Sequence, residues 1–140
     1  MAENRVIVDA GPLVAFLNER EAHHAWAVDQ FRLLPPSLLT CEPVLTETFH
    51  LVSRLPHGRR QFFALLATGV LCVDFDLMAE QKALGKLVAK YSDLPMSLAD
   101  ACLVRMAEIN PGSSVFTLDG HFNFYRKHGR RVIPTIMPPR

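Results

Sequence analysis

Arg5-Val6-Ile7-Val8-Asp9-Ala10-Gly11-Pro12 is the stretch that decides the fold of this chain. Three β-branched residues in a row make a short strand, Asp9 stops it, and Pro12 stands where its fixed φ suits the first turn of a helix. Such a strand-to-helix junction is half of a βαβ unit. The same kind of run recurs at Leu38-Leu39-Thr40, Val70-Leu71-Cys72-Val73, Val115-Phe116-Thr117-Leu118 and Val132-Ile133. Helical periodicity fills residues 12–17, 22–34, 43–55, 59–68, 77–91 and 96–109, the last ended by Pro111-Gly112. Five short strands alternating with helices predict a parallel α/β sheet covered on both faces, a three-layer α/β/α domain. Residues 134–140 are expected to form a frayed tail.

A chain of 140 residues, 49% hydrophobic and 21% charged, has room for one domain spanning 1–140 and can bury a core without disulfides or structural metal. A formal net charge of +1 excludes a global pull on polyanions, so nucleic-acid contacts must come from local patches. Cys41, Cys72 and Cys102 lie in apolar runs without zinc-type spacing, which points to buried thiols in a reducing compartment. Neither a signal-peptide pattern nor an apolar run of membrane-spanning length is present, so a soluble, cytoplasmic protein is expected.

In a parallel sheet, ligands bind at the carboxyl ends of the strands. Asp9 closes the first run, and Asp119 follows Phe116-Thr117-Leu118 just before Gly120, so both acids belong to that rim. Aspartate at such places also serves as an ordinary turn or helix cap. Glu47 and Asp100 fall within helical segments among apolar neighbours: Val44 and Leu51 for Glu47, Met96, Leu103 and Val104 for Asp100. Both are therefore expected to point inward, where a carboxylate needs a cation, a proton or a donor. Ser97-Leu98-Ala99-Asp100 also matches a capping box, a local use for Asp100 that stays open. Asp76 stands where a helix cap belongs, Asp93 lies in the turn before Met96, and the acids Glu3, Glu19, Glu21, Asp29, Glu42, Glu80 and Glu108 read as solvated or helix-terminal charges.

Together, Val6-Ile7-Val8-Asp9-Ala10, Thr46-Glu47-Thr48-Phe49, Ser97-Leu98-Ala99-Asp100-Ala101 and Phe116-Thr117-Leu118-Asp119-Gly120-His121-Phe122 resemble PIN-domain ribonucleases, in order and spacing, across nearly the whole chain. The compact size resembles the VapC-like toxins of toxin–antitoxin pairs. The resemblance implies a five-stranded parallel sheet in the order 3-2-1-4-5, with Mg2+ or Mn2+ held by Asp9, Glu47, Asp100 and Asp119. It further implies hydrolysis of RNA to 5′-phosphate products, a cognate antitoxin that covers the pocket, and a homodimer. Thr117 matches the family's hydroxyl beside the last acid, and Asp93 is a more distant candidate. His121 stands where many relatives carry a further aspartate, which puts a full second metal site in doubt.

Mechanistically, four carboxylates in one pocket repel each other and raise their own pKa values, and a hard divalent cation relieves that strain. Basic residues at Arg54, His57, Arg59 and Arg60, and at Arg126, Lys127, His128, Arg130 and Arg131, offer phosphate contacts; solvated helix ends account for them equally well. Two rival readings remain. One is a phosphoacceptor receiver domain, which wants adjacent acids after the first strand and a lysine after the last; the chain offers neither. The other is a PIN-like module that binds RNA or a partner without cutting.

Overall fold

The computed structural model describes residues 5–139; Glu3 and Arg140 lie outside them. Strand β1 (Val6–Val8) leads into α1 (Ala10–Leu17) and α2 (His24–Leu33), then β2 (Leu38–Leu39), α3 (Glu42–Val52), α4 (Gly58–Ala67) and β3 (Leu71–Cys72). After these come α5 (Gln81–Lys90), α6 (Leu98–Ile109), β4 (Ser114–Phe116), a 3-10 turn at Gly120–Asn123, β5 (Arg126–Lys127), β6 (Arg131–Val132) and β7 (Thr135–Ile136). The five-stranded sheet is parallel throughout, in the order β3-β2-β1-β4-β7. The chain reverses direction across the sheet between β1 and β4, which opens a switch-point crevice there. This order differs from the 2-1-3-4-5 of a receiver domain, and that reading falls.

The fifth strand is displaced from its predicted place. Val132-Ile133 does not join the sheet: Val132 pairs with Arg126 in a two-stranded antiparallel hairpin, turned through His128 and Gly129 at positive φ. The sheet edge is instead Thr135–Ile136, paired with Val115 and Phe116. Pro134 lacks an N–H, yet its carbonyl accepts from Val115 at 2.8 Å, so the chain enters the sheet at the first residue past the hairpin able to pair from both sides. The tail expected to fray is thus ordered through Ile136.

The core sits under both faces of the sheet. Helix α6 is its centre, with Ala99, Ala101, Cys102, Leu103, Val104, Met106 and Ala107 all buried. A helix buried almost all round holds its first turn in a fixed place, which matters because Asp100 lies on that turn. Trp26 packs edge-on and Phe31 at a tilt against Phe116, with ring centroids 5.5 and 5.4 Å away. Phe62 is buried and Phe63 exposed. The predicted helix at 77–91 starts later: Asp76 caps a turn at Ala79, and α5 begins at Gln81. Among the described residues no helix is long and apolar enough to cross a membrane.

Candidate active site

Register brings the two strand-end acids together. Val8 pairs with Phe116, so the next residues along, Asp9 and Thr117, emerge side by side at the carboxyl edge, with Asp9 N donating to Phe116 O at 2.9 Å. Gly11 allows the close approach: a Cβ there would stand 3.2 Å from Leu118 Cβ, tighter than ordinary contact.

Thr117 links these acids. Its fully buried hydroxyl donates to Asp9 Oδ2 at 2.7 Å and accepts from Asp119 N at 2.9 Å. Asp9 is itself buried, caps α1 and accepts from Ala10 N at 2.7 Å. Burial pushes the Asp9 carboxyl up from 3.8 to about 6; the Thr117 and Ala10 bonds pull the other way, and Asp100 and Glu47 add to the rise by repulsion.

The capping box at Asp100 is present in full: Ser97 N donates to Asp100 Oδ2 at 3.1 Å, and Asp100 N donates to Ser97 Oγ at 3.0 Å. Capping does not take Asp100 out of the cluster. The residue is buried, and its pKa is raised, first by burial and then by repulsion from Asp119, against the pull of its hydrogen bonds. Asp119 starts the 3-10 turn, accepting from His121 N at 2.9 Å and pairing with His121 Nδ1 at 2.7 Å. His121 therefore engages the last acid directly.

Glu47 departs from expectation. It is exposed on α3, whose buried row is Val44, Thr48 and Val52, so it occupies the rim of the cluster and not its interior. Partial burial still raises its pKa, and repulsion from Asp100 and Asp119 adds to the rise, which puts it within electrostatic reach of both. Asp93 is exposed in the turn after α5, and no hydrogen bond linking the acids runs through it.

Tyr125 is a site neighbour the sequence reading missed. Fully buried, it donates its hydroxyl to Asp100 Oδ2 at 3.2 Å and rests edge-on against Tyr91 at 5.1 Å. Burial first, then the nearby acids, raises the phenol pKa, so it stays a donor. The available signal was the Phe122 to Tyr125 spacing after the last acid: two aromatics three apart in a turn share a face, and a buried tyrosine hydroxyl needs a partner.

Among the described residues no lysine or arginine pairs with any of the four acids; the ion pairs formed by arginine are those of Arg32 with Asp29 and of Arg105 with Glu80 and Glu108. Nor do any three His, Cys, Asp or Glu side chains there converge closely enough to grip an ion. The cluster is therefore an acidic crevice whose charge no lysine or arginine among the described residues offsets, with the His121 imidazole set on Asp119. Its oxygen donors suit a hard divalent cation in chemistry and in sign.

The PIN-domain family model matches residues 6–127, a span that contains all four acids and the sheet edge between β1 and β4. The chain belongs to the PIN-domain family. Among solved structures, the crystal structure of Mycobacterium tuberculosis VapC20, described as a sarcin-ricin loop cleaving toxin, is similar at a TM-score of 0.73 and 20% identity, over 82% of this chain and 90% of that one. At that identity the likeness speaks for the PIN fold. No curated protein matches the chain.

Proposed function

We propose that this PIN domain is a metal-dependent endoribonuclease and the toxin of a type II toxin–antitoxin pair, acting in the cytoplasm as a homodimer that a cognate antitoxin restrains. The observation that carries the nuclease reading is the crevice itself: Asp9, Glu47 and Asp100 all have raised pKa values, first by burial and in part by repulsion from other acids of the set, and among the described residues no lysine or arginine pairs with them. Family membership and the likeness to a toxin that cuts RNA support the rest.

Asp9, Glu47, Asp100 and Asp119 would hold Mg2+ or Mn2+. When bound, such an ion lowers the pKa of a coordinated water and neutralises charge on a phosphodiester. The protein's own part is positioning. Thr117 fixes Asp9 by its hydroxyl, Ser97 and Tyr125 fix Asp100, and His121 fixes Asp119. Glu47 is the least tethered of the four and faces solvent, so its carboxylate is the one open to accept a proton from an incoming water.

The test is incubation of purified protein with single-stranded RNA plus Mg2+ or Mn2+, beside a chelated control, with thermal unfolding followed in parallel. Cleavage that needs the ion, together with a rise in Tm on adding it, is expected. Ion-dependent stabilisation without cleavage would favour the non-catalytic PIN-like module, and the absence of both would remove the metal reading. The toxin role is checked separately: expression in a bacterial host should arrest growth, and the Asp9→Asn protein should not.

A further inference from the structure

Two phenylalanines close together after Asp119 are used in opposite ways. Phe122 is fully buried, edge-on to Tyr125 at 5.1 Å, whereas Phe124 is 66% exposed. The 3-10 turn dictates the split: at three residues per turn, positions 122 and 125 share the inward face and 124 is turned outward. Phe124 lines an open hollow of about 480 Å³ whose other walls are Asp119, Gly120, His121 and Asn123. Asp119 is therefore shared between the acidic crevice and this hollow, and nothing would lie within 4 Å of a Cβ at Gly120, which leaves the approach open. Directly downstream, the β5–β6 hairpin carries Arg126, Lys127, Arg130 and Arg131, the last two exposed.

An exposed phenyl ring on a wall that is otherwise polar or small does not suit an apolar helix, which needs a continuous greasy patch. It suits a flat ring carried on a charged strand. Every nucleobase has a π-face that stacks on an aromatic side chain whatever its sequence, and neighbouring Arg and Lys side chains neutralise the phosphates on either side. We infer that Phe124 is the stacking platform for a base of single-stranded RNA, placing the adjoining phosphodiester at Asp119; this rests on the nuclease reading above. The β5–β6 cations then track the backbone leading away from the crevice.

The experiment compares Phe124→Ala with Phe124→Trp, both in an Asp9→Asn background that leaves the RNA intact. Binding is read from the fluorescence of an aminopurine base in a short oligoribonucleotide, which stacking quenches. Loss of one base stack should weaken binding about 5- to 100-fold in the alanine variant, and tryptophan should restore it along with the quenching. In otherwise wild-type protein, Phe124→Ala should raise KM by a similar factor with kcat nearly unchanged. Because the ring is exposed, both variants should unfold at the temperature of their parent, which separates the effect from misfolding. RNA cleavage by wild-type protein with unaltered RNA affinity and KM in Phe124→Ala would overturn the stacking role alone. A change confined to self-association would overturn it in favour of a protein interface, and a wild-type chain that neither binds nor cuts RNA would overturn it together with the nuclease reading.

Discussion

The strand side and the helix side of the crevice hold their acids by different means. Asp9 and Asp119 rise from adjacent strands whose register is fixed by β1–β4 pairing, and one buried hydroxyl, that of Thr117, ties the first carboxylate to the second backbone. Glu47 has only α3 behind it, faces solvent, and has no salt bridge among the described residues. Asp100 stands between these extremes, on a helix but clamped by Ser97 and Tyr125. Rigidity comes from the sheet and freedom from the exposed helix, so substitutions on the two sides should fail in different ways.

The largest effect is expected at Asp9. Asp9→Asn keeps one side-chain oxygen, enough for Ala10 N, and sets an amide NH2 against the Thr117 hydroxyl, which then accepts where it had donated; with the charge removed, ion-dependent cleavage should fall more than about 100-fold. Stability should move the other way. Because burial raises the folded-state pKa from 3.8 to about 6, Asp9 supports folding when protonated, and that support is lost as pH climbs through about 6. The rise corresponds to about 3 kcal/mol of strain at neutral pH in a buried group, so Asp9→Asn should gain about 1–3 kcal/mol near pH 7 and nothing below about pH 4. Urea unfolding at the two pH values checks this. A gain of equal size at both would show that repulsion and burial are not its source.

Next in size is the tie between the strands. Thr117→Val preserves shape but leaves Asp119 N without its acceptor and Asp9 without its hydroxyl, costing about 1–3 kcal/mol of stability in a buried setting. The Asp9 pKa should climb further, because the bond it loses was pulling it down. Activity should drop about 10- to 100-fold, as for outer partners of ligating groups, and Thr117→Ser should recover most of it. Full activity in Thr117→Val would show that the strand side needs no such tie.

How much of this was legible in the sequence follows the range of the interactions. Val6-Ile7-Val8-Asp9 was readable because strand, stop and helix start are all local, and Asp100 because its capping box spans four residues. The sheet edge was not. Val132-Ile133 and Thr135-Ile136 are equally short and equally β-branched, and only pairing with Val115 and Phe116, some twenty residues upstream, chooses between them. For Tyr125 the spacing from Phe122 hints at burial, but nothing within its own turn shows that its hydroxyl will meet Asp100. Glu47 exposes a limit of helical arithmetic. Its apolar neighbours Val44 and Leu51 suggested an inward face, yet the buried row is Val44, Thr48 and Val52, and Leu51 is itself exposed. Glu47 lies one row off that stripe, which turns a core position into a rim position.

That displacement sets the smallest and most discriminating expectation. Glu47→Gln removes a charge from an exposed side chain with no salt bridge among the described residues, so stability should change by less than about 0.5 kcal/mol at any pH. The pKa of Asp9 should fall slightly, because Glu47 is one of the charges raising it. Cleavage should nonetheless drop about 10-fold or more if this carboxylate takes the proton of the incoming water, with the loss mainly in kcat. If Glu47 served instead to gather the ion, the concentration of Mn2+ needed for half-maximal activity should rise while kcat at saturating ion recovered. Titrating Mn2+ against both proteins separates these roles, and neither outcome depends on the fold, since the variant leaves α3 packed on Val44, Thr48 and Val52. A substitution that destabilised the protein as strongly as Thr117→Val would erase the distinction between the two sides of the crevice.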